Sequence, residues 1–421
     1  MLIGLLDLIR INFHFLNPFN ETIRDYEITD IVYSRLRDKK VKKDDRIVLV
    51  NSGFPPSRDT IRMILDRIID AGAKVVALDI TFEERKNFQI DSMLRQSMGR
   101  IENVVLANKV SGLEEDGITF KYQEACDTFF ANHITTGFIN FIDHDSSTIR
   151  YFSPREKVEE SEEVCMAFAV RTASMYEPSA VERLFKRNKD FEEIYYTGDE
   201  NQFVLLDFKD ILDVNQNHKS TLADKIVLIG FHPTSPTVRP VIDKHYTPLN
   251  PRYTGHNSQD MYGMVIHANI ILMILDNTYI YEFSFWINLL LTTVFCYFNV
   301  HLFYQIFRRV SLPFQFITRF LQLGEIILLF FIVAVLFHYY RIKMDVAYWI
   351  SALLLTFDAV KFYDNGIRKR FKILANMPYA LPSRPKRSKR IETATEIPKE
   401  PPPDAGTTPA QQSDSKQETT T

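Results

Sequence analysis

Residues 46–80, RIVLVNSGFPPSRDTIRMILDRIIDAGAKVVALDI, decide how the first two thirds of the chain fold. Arg46–Val50 is a short run rich in β-branched residues, closed by the turn-forming stretch Asn51–Ser57. Arg58–Ala71 sets Ile61, Ile64, Leu65, Ile68 and Ile69 on one helical face. Gly72 supplies the stop, and Lys74–Ile80 is a second apolar run that reads as a buried strand. Strand, helix and strand joined by short connections imply parallel pairing through a right-handed crossover.

Outward from this unit the alternation continues. Ile90–Met98 reads as a helix, Asn103–Ala107 as a strand, and His133–Phe152 as strand-like with a turn at Asp143–Ser147. Glu163–Met175 looks helical, Phe203–Leu206 and Lys225–Gly230 look like strands, and Met264–Leu275 resembles a helix. Arg155–Glu162 and Pro178–Asn201 are charged and give weak signals. The expected class is α/β: a mainly parallel sheet with helices on both faces. It occupies residues 25–280, with Arg46–Val50, Lys74–Asp79 and Lys225–Ile229 as neighbouring buried strands.

Three apolar segments follow, Phe283–Phe307, Phe316–Tyr340 and Met344–Tyr363. Each approaches the roughly 20 residues that cross a ~30 Å hydrocarbon layer as a helix. The expectation is a three-helix transmembrane bundle over residues 283–363. Tyr281, Trp286, Tyr339, Tyr340, Tyr348 and Trp349 lie near segment ends, where amphipathic rings favour the membrane–water interface. Arg308, Arg309 and Arg319, then Arg368, Lys369, Arg370 and Lys372, outnumber Arg341 and Lys343. By the positive-inside rule this places the large domain outside the cytoplasm and residues 364–421 inside, in a multi-pass protein of the inner cell membrane. After Met377 the tail turns basic (PSRPKRSKR) and then rich in Pro, Thr and Gln, a composition that cannot bury a core. Residues 1–24 form an apolar or membrane-associated segment. Met1–Leu16 carries Asp7 and Arg10 and lacks a signal peptide's charged start and cleavage site. It is expected to be the end of a spanning helix that begins further upstream, or else an amphipathic helix on the membrane surface.

A formal net charge of −3 and a pI near 6.4 give no basic footprint for nucleic acid. Three cysteines do not make a disulfide scaffold. Cys296 lies in an apolar segment, so Cys126 and Cys165 are the only pair to consider, and a small buried hydrophobe is the other reading of each. Neither a phosphate-cradling glycine motif nor a nucleophile elbow or zinc motif occurs. The expectation is therefore no cofactor and no enzyme.

Four pieces of the chain, taken in order, resemble the type-two CHASE domain, an extracytoplasmic sensory module of bacterial receptors. They are IVLVNSGFPPSR with GAKVVALDITF, ending at Phe82; the acidic Asp91 opening a helix; TTGFINFIDHDSSTIRYF, Thr135–Phe152; and LADKIVLIG followed by Asp243, Thr247–Pro248 and GMVIHANII, Gly263–Ile271. Pro55–Pro56–Ser57–Arg58 departs from the family, which often has an aromatic residue between the prolines. The resemblance covers Asp25 to Ile280, and three following helices match the usual arrangement. The family's C-terminal signalling domains have no counterpart here, so the implied role is a sensor that relays to a separate signalling partner.

Candidate ligand-binding residues are Arg58, Asp79, Asp91, Asn140, Arg150, Asp243 and His267. Asp79 ends an apolar strand, where open α/β sheets present binding groups; its local alternative is bonding to loop N–H groups. Arg58 opens a helix and is placed to pair with Asp79 or meet an anion. Asp91 caps or opens its helix. Asn140, Asp143, Asp145 and Arg150 surround a turn, and Asp143–His144–Asp145 has oxygen and imidazole donors without a second cluster to make a metal site. Asp243, His245 and His267 form another candidate polar group. In the apolar segments, His301, Gln305, Glu325, Asp358 and Lys361 form an expected polar layer, with Glu325 meeting His301, Gln305 or Lys361. The partners expected are the lipid bilayer, and an unknown small molecule or envelope protein; a homo-oligomer stays open. The alternative to a sensor is a structural or assembly protein of the cell envelope.

Overall fold

The computed structural model describes residues 28–36, 43–114, 119–124, 126–142, 148–159, 164–233, 243–250, 259–309 and 314–363. A nine-stranded sheet organises the domain. Its strands are β1 (Ile47–Asn51), β2 (Val75–Leu78), β3 (Val104–Leu113), β4 (Thr119–Glu124), β5 (Thr135–Phe138), β6 (Arg155–Val158), β7 (Cys165–Met166), β8 (Val204–Asp207) and β9 (Ile226–Gly230). Strands β8, β1, β9, β2 and β3 run side by side and parallel, and β5 adds in parallel to β3. The second half of β3 turns back antiparallel against β4, which continues to β6 and β7. The three runs expected to be neighbours are neighbours, with β9 between β1 and β2.

These strands are apolar at consecutive positions because both faces are covered. Ile47, Leu49, Val75, Ala77, Ile226 and Leu228 face one core, and Val48, Val50, Val76, Leu78, Val227 and Ile229 face the other. The second core is closed by α1 (Arg58–Asp70), through Ile61, Ile64, Leu65 and Ile68, and by α2 (Phe88–Met98). The first is closed by α3 (Phe168–Tyr176), α4 (Pro178–Lys186) and α5 (Gly263–Asp276). Every residue of α5 except Asp276 is buried. Its polar Asn269 is satisfied there: Oδ1 accepts from Thr197 N at 3.0 Å, and Nδ2 donates to Gly198 O at 2.9 Å.

The differences from expectation have physical reasons. Strand β3 runs past residue 107 because its outer half pairs as an edge ribbon with the polar β4, whose alternating burial carries little apolar signal. Helix α3 starts at Phe168, since Cys165 and Met166 pair with Glu156 and Arg155 as strand. Helix α4 lies in the charged stretch that gives only a weak signal; of its residues, Ala180, Val181 and Leu184 are buried. Cys126 and Cys165 are both free, and Cys126 is buried with its Sγ donating to Ala107 O.

After α5 come α6 (Phe285–Arg309), α7 (Phe314–Tyr340) and α8 (Ala347–Phe362). Two windows, Phe285–Ile306 and Phe316–Tyr340, are long and apolar enough to cross a membrane, and only 17% and 22% of them is buried. That separates them from α5, an apolar helix that is core. The third expected span is shorter: the helix begins only at Ala347 and ends at Phe362, leaving α8 with 16 residues, about 24 Å of helix.

Strand β5 approaches α3 closely at Gly137, where a Cβ would lie 2.6 Å from Phe168 Cα and 2.9 Å from its N. Backbone cannot yield as a side chain can, so Gly137→Ala is expected to cost ~1–3 kcal/mol. Gly99→Ala, whose Cβ meets nothing nearer than 3.5 Å, should stay within about 0.5 kcal/mol. Thermal melts of the purified protein check the pair; equal melting points would refute the close packing.

Candidate functional site

The C-terminal ends of the parallel strands, on the side covered by α5, gather the polar residues. Side chains alternate along a strand, so Asn51, Asp79 and Gly230 share the face of Leu49, Ala77 and Leu228. Above them sits the first turn of α5. A Cβ on Gly230 would meet Asp79 Cβ and Met264 Sδ, each at 3.2 Å, and one on Gly263 would meet Asp243 Oδ1 at 2.9 Å. The two glycines thus let two carboxylates approach the start of the helix, where the positive end of its dipole favours negative charge. Asp243 adopts a left-handed backbone (φ 59°), and its carbonyl accepts from Gly263 N at 3.1 Å.

Burial, then the charge of Asp243, push the Asp79 carboxyl up to about 8, with Lys109 opposing. His245 Nε2 lies 3.5 Å from Asp243 Oδ1. The Phe141 ring is 5.2 Å from His245 and stacks at 4.7 Å on His267, which also meets Phe168 edge-on. Burial holds His267 neutral down to about 3, with His245 adding to the effect. His232, two residues beyond β9, leans on Tyr262 and is buried, and neither ring nitrogen finds a side-chain partner among the described residues. Nothing in its local sequence marked it; its place after a strand ending in glycine is the only cue. The arrangement gathers two carboxylates and three imidazoles at the strand ends, while the Asn51 amide is engaged by Asp207, Gly53 and His232.

Among the seven candidates, Asp79, Asp243 and His267 come together here, and the other four lie elsewhere. Arg58 does not pair with Asp79. Its Nη1 donates to Asp91 Oδ1 at 2.8 Å, its Nη2 bonds Glu84 O, and its guanidinium lies over Phe130 at 5.1 Å. Asp91 is fully buried, and its other oxygen accepts from Lys86 N at 2.7 Å. The reason is placement: Arg58 opens α1, and Asp91 lies in the first turn of α2, which Asn87 and not Asp91 caps, both on the sheet's opposite face. Asn140 bonds both backbone groups of Val110, at 2.8 and 3.1 Å, and so extends the β3–β5 ladder. Arg150 donates to Asp30 at 2.6 Å, a buried pair that fastens the helical turn Ile28–Ile31 to the domain. The Asp143–Ser147 turn, with the Asp143–His144–Asp145 group, lies outside the described residues, as do residues 1–24 and the tail. No cluster able to hold a metal occurs among the described residues.

In the apolar helices, Gln305 and His301 are hydrogen-bonded at 2.6 Å. Glu325 takes a partner the sequence reading did not name: the Asn299 amide, turned to present its nitrogen, donates to both carboxylate oxygens at 2.9 Å. Asn299 lies on α6, one helical turn before Phe303, so it is α6 that presents this amide to Glu325 on α7. Asp358 is exposed, and the Lys361 side chain lies outside the described residues.

The chain matches the CHASE2 domain over residues 38–300 and belongs to that family, whose members are extracellular sensory domains. No curated protein and no solved structure matches it.

A group whose folded pKa is raised adds stability below its unfolded value and loses it as pH rises through the folded one. For Asp79 the window runs from about 4 to about 8. Asp79→Asn should therefore melt higher than the wild type at pH 8, by at least about 1 kcal/mol of stability, and flatten the decline between pH 5 and 8. Melting curves across that range decide it. An unchanged slope would mean that Asp79 is not held protonated.

Proposed function

We propose that the chain is a membrane-held extracytoplasmic sensor that binds a small polar molecule at the strand ends and acts by binding rather than catalysis. It relays occupancy through its C-terminal helices to a separate partner. One observation carries the reading. The acidic, imidazole-bearing group lies under the first turn of α5, and the far end of the same helix leads within nine residues into α6. Ligands of open α/β sheets bind at strand C-termini, so binding here acts on the element that continues toward the membrane.

That exit is held tightly. Asp276 pairs with Arg46 at 2.7 Å, and Arg187, paired with Glu192 at 2.5 Å, donates to Ile280 O and stacks on Tyr279. Tyr281–Glu282 then joins Ile342–Lys343 in a two-residue parallel ladder. The two cations that run against the charge bias are engaged by the domain: Lys343 bonds Glu193 at 3.0 Å, and Arg341 lies over Tyr195. This supports the domain lying outside, with Arg308 and Arg309 inside. In this reading α8 makes a third crossing, packed along α6 through Trp349 and Asn288. Its short length is met by local thinning of the bilayer.

Cysteine labelling of intact cells tests the placement. With Cys126, Cys165 and Cys296 replaced by alanine, an impermeant maleimide should label Val214→Cys, a 78% exposed position, and leave Ser413→Cys untouched. The opposite pattern would reverse the topology. Protein extracted from native membranes should carry a small molecule that Asp79→Asn/Asp243→Asn lacks. A partner protein bound to both forms, with no small molecule on either, would favour an envelope-assembly role instead.

A further inference from the structure

A cavity of about 590 Å³ lies where the domain meets the apolar helices. Its position is set by its walls. Phe283 lies two residues before α6 and Phe285 begins it, Val333 comes from α7 seven residues before its end at Tyr340, and Tyr348 from the first turn of α8. At ~1.5 Å per residue, Val333 lies roughly 10 Å below the helix end. The cavity therefore runs from the water-facing rim of the helices into the depth of the hydrocarbon layer. Two exposed carboxylates, Glu282 and Asp345, line its rim together with Lys343. Neither meets a cation among the described residues, because the adjacent Lys343 is held by Glu193 at 3.0 Å and by Tyr151 Oη at 2.8 Å. Asp345 Oδ1 accepts from Ala347 N at 3.0 Å, and the side chain is exposed.

With the Lys343 ammonium already matched by Glu193, the two exposed carboxylates beside Phe283, Phe285, Val333 and Met344 select an amphiphile with a cationic head. We propose that the cavity binds a membrane phospholipid bearing a primary ammonium headgroup, of the phosphatidylethanolamine type. Its ammonium sits between Glu282 and Asp345, and the upper part of a chain lies along Phe283 and Val333. A purely anionic lipid would bring its charge against both carboxylates. A cavity of this size takes the head and the first part of the chains, not the whole molecule. Its walls include both strands of the Tyr281–Glu282 and Ile342–Lys343 ladder, so the bound lipid stiffens the junction through which α5 acts on α6. The assignment rests on the membrane placement proposed above.

The chain's two tryptophans make the test direct. Trp349 Nε1 donates at 2.8 Å to Asn288 Oδ1, and Asn288 lines the cavity. Trp286 is 74% exposed on α6 and reports lipid at the outer surface of the helices. Full-length Trp286→Phe and Trp349→Phe proteins are placed in vesicles of phosphatidylcholine containing brominated phosphatidylethanolamine or brominated phosphatidylglycerol. Trp349 should be half-quenched at about fivefold lower mole fraction of the ethanolamine lipid than of the glycerol lipid. Trp286 should be quenched equally by the two. Glu282→Gln/Asp345→Asn, which keeps the helix cap because Asn caps as well as Asp, should abolish the preference at Trp349. Equal quenching of Trp349 by both lipids, or a preference that survives the double substitution, overturns the lipid site and leaves the membrane reading standing. No quenching of either tryptophan by any lipid overturns both.

Discussion

A parallel sheet buried on both faces needs a helix layer on each, and here one of those layers is also the exit from the domain. Helix α5 is buried along its whole length except at Asp276, and so it is fixed by the sheet rather than by its own ends. Complete burial of apolar side chains, worth ~1.5–3 kcal/mol each, leaves it no room to tilt independently of β1, β9 and β2. The proposed relay has a displacement of its first turn carried to its last. The rest of the arrangement depends on that rigidity: the carboxylates at one end, the clamped exit at the other, and the apolar helices beyond.

The polar groups fall into two kinds with different energetics. Arg58–Asp91 and Arg150–Asp30 are buried pairs with good geometry, and removing one partner of such a pair costs ~3–5 kcal/mol because the other charge is stranded. They hold elements together. Asp79, Asp243, His245 and His232 are incompletely paired, a condition that folding alone does not favour. Stability is spent where the fold is fastened and withheld where a ligand is expected.

Much of this was legible in the sequence, for reasons that can be stated. Val48–Val50, Val75–Leu78 and Ile226–Ile229 are uninterrupted apolar runs because both faces are covered, and such runs are the strongest signal a strand gives. Asp79 was found because it interrupts one of them at its end. Strand β4 and helix α4 escaped notice because half or more of their residues face water, so their patterns are polar. Arg58 pairing with Asp91 instead of Asp79 follows from which face of the sheet α1 occupies, a three-dimensional fact that spacing alone does not contain. Asn299 was missed as the partner of Glu325 because a neutral amide draws less attention than a charge. The shortness of α8 was hidden because Met344 and Val346 are apolar and extend the hydrophobic run, although the helix starts only at Ala347.

Amide hydrogen exchange on the full-length protein in lipid nanodiscs tests most directly whether α5 transmits what happens at the strand ends. The comparison is between the wild type and Asp79→Asn/Asp243→Asn. If α5 moves as one body with its surroundings, exchange changes along residues 263–282 and in the partner segment 342–343. A change confined to the neighbourhoods of Asp79 and Asp243, with the junction untouched, would contradict the account.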